Sequence, residues 1–219
     1  MIKTEHTYVY GWEAAIRGMR NPMNSWDKSD SLFHCMVDDD RAEDFIGEND
    51  LKLMKNLSKA GTDHSKYLRM INVTVDILAP RYWWTEYDTY KVGTVANSCS
   101  TMHRLTSKPI ELSDFSIDDE TLIEIDGTCY WSVGDMFEYV VDECETLRQE
   151  YLSTNDKKYW RALIQILPQS YNQKRTVQLN YQVLKSMYHA RKNHKLDEWR
   201  DFCKWCETLP YFKEICIDI

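Results

Sequence analysis

The sequence predicts an α+β chain, with a β-containing N-terminal half and a helical C-terminal half. Two observations carry this expectation. Ile71, Val73, Val75 and Ile77 alternate with Asn72, Thr74, Asp76 and Leu78, a period of two with β-branched residues along one side. From Ser132 onward the apolar residues change to three- and four-residue spacing and hold it almost to the end of the chain.

Taken in order, Glu13 to Met19 reads as a short helix closed by Asn21-Pro22, because the residue before a proline is pushed out of helical geometry. Asp50 is placed to cap a helix over Leu51 to Ala60, with Leu53, Met54 and Leu57 as its apolar stripe and Gly61 ending it. The strand over Ile71 to Ile77 stops at Ala79-Pro80. Leu112 to Gly127 is acidic and aperiodic and is expected to be a loop or an excursion of the fold. The helix from Ser132 stacks either Val133, Met136 and Val140 or Phe137 and Val141, then Cys144 and Leu147. Further helices are expected over Asp156 to Leu167, ahead of Pro168, over Arg175 to Lys192 and over Leu196 to Thr208. No repeat and no Pro/Gly/Ser linker interrupts residues 1–219, which are expected to form a single domain.

The chain carries a formal net charge of -8, which argues against a broad nucleic-acid surface while leaving room for a small anion held by a few cations. The acidic runs Asp38-Asp39-Asp40 and Glu111 to Asp126 are expected to be solvated. Met1 to Arg17 has no cationic segment followed by an apolar one, and no stretch approaches the length of a membrane span, so a cytoplasmic protein without membrane contact is expected. Seven Cys in no framework spacing fit reduced thiols, and the C-x-x-C of Cys203 to Cys206, lacking a second pair, reads as helix packing rather than a metal site. The fourteen Tyr and eight Trp serve either a core or ligand-facing and subunit-facing surfaces.

The usual phosphate-binding glycine loops and the serine nucleophile elbow are absent. Asn180 and Arg191, eleven residues apart, return to within about 20° of one another on a helix. With Leu184, Met187 and Tyr188 between them, they present a polar group at each end of an apolar stripe, suited to an elongated ligand, or else a half-buried Asn and a surface Arg. Gly93 to His103 is rich in small and hydroxyl side chains and is either a phosphate-approaching loop or a polar turn. A thiol–imidazole pair of Cys99 and His103 would need a helix that the Gly and Ser content disfavours.

Leu167-Pro168, Asn180-Tyr181-Gln182-Val183-Leu184 and Arg191 resemble the C-terminal motif of the flavin-dependent thymidylate synthase (ThyX) family, an LP followed by N-x-R-x-L and an Arg eleven residues after the Asn. A second region, laid down without gaps, puts the family His on His64, its A-P on Ala79-Pro80 and its Gln on Glu86. The signature R-H-R-x-x-S-x-N-E-x-S-x-R then falls on Thr89 to Thr101. Lys91 keeps one positive charge and Thr94 one hydroxyl, while Thr89, Thr101 and Gln182 stand where the family has arginines. Ile164 takes the place of another family Arg, with Gln165 or Arg161 as the nearest substitutes.

The resemblance implies a thymidylate synthase-complementing-protein-like fold and a homotetramer with sites built across subunits. It also implies FAD as cofactor, dUMP as methyl acceptor, and methylenetetrahydrofolate and NADPH as co-substrates. Carried over residue by residue, it implies that Arg191 holds and orients dUMP. Asn180, Lys91 and His64 would contact the flavin, with the nucleotide as the alternative for Lys91, and Ser98, Ser100, Glu86 and Arg161 would contact the nucleotide. The missing arginines leave two alternatives open: an altered nucleotide- or flavin-binding protein, or a related pyrimidine-nucleotide-modifying enzyme, on the same fold. A scaffold that uses the aromatic surface is a third.

Overall fold

A computed structural model of the chain describes residues 2–33, 44–117, 122–125 and 129–219, so the Asp38-Asp39-Asp40 run and part of the Leu112 to Gly127 stretch lie outside the described residues. The α+β class holds. Strand β1 (Lys3–Tyr10) leads to helix α1 (Trp12–Arg20), α2 (Glu48–Lys59), β2 (Asn72–Pro80), α3 (Arg81–Tyr87), β3 (Val95–Ser98) and α4 (Thr101–Arg104). A hairpin follows, of β4 (Leu122–Ile125) and β5 (Cys129–Ser132), then α5 (Val133–Thr154), α6 (Lys157–Ile166), β6 (Asn172–Asn180), α7 (Tyr181–Arg191) and α8 (Asp197–Cys206). The larger sheet has the order β1-β2-β6-β3. Val73, Val75 and Ile77 of β2, and Ile71 just ahead of it, are buried at 0–1% exposure along the predicted face, each side chain contributing about 1.5–3 kcal/mol. No helix among the described residues is long and apolar enough to cross a membrane.

Two expectations are corrected. Asp50 does not cap α2: the helix starts at Glu48, and the Asp30 carboxylate accepts the N–H groups of Asn49 at 2.9 Å and Asp50 at 3.1 Å instead. The expected helix over Arg175 to Lys192 begins only at Tyr181, because residues 172–180 pair as β6. In the acidic stretch, expected as a loop or an excursion of the fold, Leu122–Ile125 pairs antiparallel with Cys129–Ser132, Ile123 opposite Trp131. β1 had no counterpart in the sequence reading, and its mixture of exposed and half-buried positions explains why no alternation was visible.

The chain divides into two compact units. One comprises Thr4–Asp76, Tyr90–Ala96 and Thr176–Ile219. Its core joins Trp12, Tyr181, Phe212 and Trp199, with Trp12 edge-on to Tyr181 at 5.5 Å and Tyr181 edge-on to Phe212 at 5.3 Å. Buried Arg20 donates Nε–H to Asp50 at 2.6 Å, and the other Asp50 oxygen accepts the hydroxyls of Ser29 and Ser31, each at 2.7 Å. Cys203 and Cys206 are buried in α8, as packing required.

The other unit comprises Met1–Lys3, Ile77–Thr89 and Asn97–Arg175. Its apolar cluster is Leu105, Ile110, Phe115, Val141, Cys144, Leu163 and Leu167. α5 therefore packs Phe137 and Val141 against it, joined by Val140 of the other alternative, and Met136 is exposed. Ser132 and Asp135 close a capping box at the start of α5, and Asp156 caps α6. Glu145 joins α5 to the preceding chain: it accepts the Ile110 N–H at 2.8 Å and two bonds from Arg148, which in turn donates to the Thr106 carbonyl.

Candidate functional site

In the unit containing α7, three segments meet that helix. Asn180 is its N-cap, its Oδ1 accepting the Val183 N–H at 3.1 Å, which leaves the amide NH2 as donor. The turn at Gly93 passes against this end. A Cβ built on Gly93 would lie 3.0 Å from Val183 Cγ2 and 3.4 Å from Asn180 Nδ2, and Gly93 has φ of 78°, so close approach and backbone geometry both require glycine. The turn after Gly61 supplies the third segment. Ser65, next to the exposed His64, is buried and donates its hydroxyl to Gln182 Oε1 at 3.4 Å. His64, Lys91 and Asn180 are thus carried on segments that converge at the start of α7, with His64 and Lys91 exposed.

Arg191 ends α7, eleven residues or roughly 16 Å along the helix from Asn180. It is half-buried and donates Nε–H to the Tyr90 hydroxyl at 2.9 Å. Its guanidinium lies 4.8 Å from the ring centre of Trp199, which is fully buried, and 5.6 Å from that of Tyr90. The stripe between Asn180 and Arg191 does not serve a ligand: Leu184, Met187 and Tyr188 are buried in the protein core. The two residues therefore do not mark the ends of one open apolar trough. His194 stacks edge-on to Trp199 at 6.3 Å.

The other unit holds a cavity of about 380 Å³. Ser100, Thr101 and Arg104 border it from the start and end of α4, Tyr171 from the chain entering β6 and Lys174 from β6 itself. Lys108 lines it too, paired with Asp114, whose hydrogen bond raises the pKa of the ammonium group and holds it protonated. Burial raises the pKa of the Tyr171 phenol. Cys99 is tied to β6 on both sides, its N–H donating to the Lys174 carbonyl at 2.9 Å and its carbonyl accepting from Gln173 Nε2 at 2.7 Å. Ser100 caps α4 by accepting the His103 N–H at 3.2 Å. Cys99 lies ahead of α4, so no helix aligns it with His103.

Of the nucleotide-contacting residues expected from the sequence, Ser100 lies on this cavity. Ser98 is exposed at the end of β3, Arg161 is exposed on α6, and Glu86 is half-buried on α3, where its carbonyl accepts the Thr89 hydroxyl at 2.7 Å. Lys108 and Lys174 on the cavity, and Tyr90 and Trp199 against Arg191, were not singled out from the sequence. No short motif marks them, since the cavity and the Arg191 clamp join residues far apart in sequence. As for a flavin, the donors near the start of α7, an exposed Lys91 and the amides of Asn180 and Gln182, fit the phosphates and ring carbonyls of such a group.

No protein-family model and no curated protein sequence matches the chain. Solved structures match its fold. Thymidylate Synthase X (ThyX) from Helicobacter pylori, with FAD and dUMP, is 17% identical with a TM-score of 0.69, over 100% of this chain and 98% of its own. A second complex of that enzyme with FAD and dUMP gives 18% and 0.68, over 99% and 98%. The UMP/dUMP methylase PolB from Streptomyces cacaoi, bound with 5-Br UMP, gives 13% and 0.62, over 95% and 87%. The chain has the fold of these proteins along its whole length.

Proposed function

We propose that the chain binds a pyrimidine nucleoside monophosphate and methylates it in a flavin-dependent reaction of the thymidylate synthase type, with dUMP as acceptor. The observation that carries this reading is the whole-length fold likeness to two enzymes whose names state dUMP as ligand or substrate. The residues at α7 support it, with Asn180 as the N-cap of the helix and Arg191 clamped at its last position.

In this reading Arg191 holds and orients the nucleotide. Its flat guanidinium is held against Trp199 and Tyr90, so little rotamer entropy is lost on binding. Asn180 would hold the flavin, Lys91 would hold the flavin phosphates or the nucleotide, and His64 would border the same region. FAD would supply the one-carbon carrier and the reducing electrons, taken from methylenetetrahydrofolate and NADPH. Ser98, Ser100, Glu86 and Arg161 are assigned to the nucleotide, and residues 1–219 work as a single domain within a cytoplasmic homotetramer.

A second reading, a nucleotide- or flavin-binding protein with altered chemistry, is favoured by Thr89, Thr101 and Gln182, since Gln182 is already bonded to Ser65 where the resemblance has an arginine. An absorbance spectrum separates the two. Flavin bands that persist through gel filtration, alone or after addition of FAD and dUMP, are expected. A protein that binds dUMP but retains no flavin overturns the synthase reading in favour of the second.

A further inference from the structure

The cavity beside α4 concentrates charge of the sign opposite to that of the chain. Among the described residues, Arg104, Lys108 and Lys174 line it with one carboxylate, Asp114, in a chain of net charge -8. Asp114 is already engaged, with one oxygen on Lys108 and the other accepting the Glu111 N–H at 3.1 Å. Arg104 makes no ion pair among the described residues, and it is exposed at the end of α4. Ser100 uses its oxygen as the helix cap, which leaves its O–H to donate. Leu78, Leu105 and Tyr171 add apolar and aromatic surface to the lining. A volume of about 380 Å³ falls within the range of small-ligand sites.

We propose that this cavity is a nucleoside 5′-monophosphate site in which Arg104 is the principal phosphate ligand, supported by Lys174 and the Ser100 hydroxyl. This rests on the reading that the ligand is a pyrimidine nucleoside monophosphate. Thr101 lines the same cavity and stands where the resemblance has an arginine; Arg104 lies one helical turn further along α4, so a cation returns to the cavity from a new position. A guanidinium in this place suits phosphate because its fork bonds two oxygens at once.

The test is calorimetric titration of the full chain with dUMP, UMP, CMP and AMP. Arg104→Ala is expected to weaken binding of the preferred monophosphate at least about tenfold, the scale of one charge-assisted contact, with an unchanged unfolding midpoint. Adding Thr101→Arg to Arg104→Ala is expected to restore most of the loss, because position 101 borders the same space. Wild-type affinity in Arg104→Ala overturns the assignment and leaves the proposed function standing. A wild-type chain that binds CMP or AMP but not dUMP, with the same loss on Arg104→Ala, upholds the phosphate site and overturns the choice of nucleotide. A loss that Thr101→Arg does not restore returns Arg104 to a structural role, and a wild-type chain that binds no monophosphate overturns both proposals.

Discussion

Arg191 and Tyr90, 101 positions apart, meet in a hydrogen bond of 2.9 Å from the Arg191 Nε–H to the Tyr90 hydroxyl. The bond fixes a guanidinium that would otherwise sweep the surface at the end of α7, and the Trp199 ring fixes its plane. Arg191→Ala is expected to weaken dUMP binding by about 10- to 100-fold, from loss of a charge-assisted bond worth about 1.5–3 kcal/mol. Tyr90→Phe removes only the hydroxyl and is expected to cost about two- to tenfold. Titration of both variants checks the order, and equal affinity of Arg191→Ala and wild type removes Arg191 from the site.

Asp50 is fully buried and neutralises an equally enclosed Arg20. Asp50→Ala leaves that arginine without its partner and also releases Ser29 and Ser31. The expected destabilisation is about 3–5 kcal/mol, measured by urea unfolding. A change below about 1 kcal/mol would mean that the charge is solvated in the folded protein.

The bonds from Arg148, the Ile110 N–H and Gln149 hold the Glu145 carboxyl at about 2, below the 4.5 of an ordinary glutamate. A depressed folded-state pKa stabilises the protein above pH 4.5, and the contribution is lost as the pH falls from 4.5 towards about 2. Wild type is therefore expected to exceed Glu145→Gln in stability by a constant margin near neutral pH and to lose that margin across this acid window. Denaturation curves at a series of pH values test it, and a margin that stays constant down to pH 2 refutes it.

Gly93→Ala puts a methyl group 3.0 Å from Val183 Cγ2 at a φ of 78°. Strain of about 1–2 kcal/mol is expected from the backbone alone, seen as a lower unfolding midpoint. A midpoint equal to that of wild type would show that the Lys91–Thr94 turn relaxes away from α7.

Local pattern made several elements legible. β2 showed through because its buried residues alternate and are β-branched, and α6 because Asp156 caps it and Pro168 follows it. α5 was legible in extent, although only packing against Phe115, Leu163 and their neighbours chose Phe137 and Val141 over Met136. The α+β class followed from these. The resemblance at Asn180 and Arg191 was legible in spacing, and both prove to bound α7.

What the sequence by itself determined was therefore the material set by near neighbours: the period of β2, the caps and stops of the long helices, the acidic balance and the spacing of Asn180 from Arg191. Tertiary structure decided the rest. Residues 172–180 carry Lys, Arg and Gln, good helix formers, yet they extend as β6 beside β2, where Thr176 donates its hydroxyl to Asp76 at 2.6 Å. α2 takes its cap from Asp30 rather than from Asp50, and Arg191 takes its orientation from Tyr90 and Trp199. Arg104 reaches a cavity closed by Tyr171 and Lys174. Each of these depends on residues distant in sequence meeting in space, and a pattern read over a few turns of chain holds no information about which distant partner will arrive.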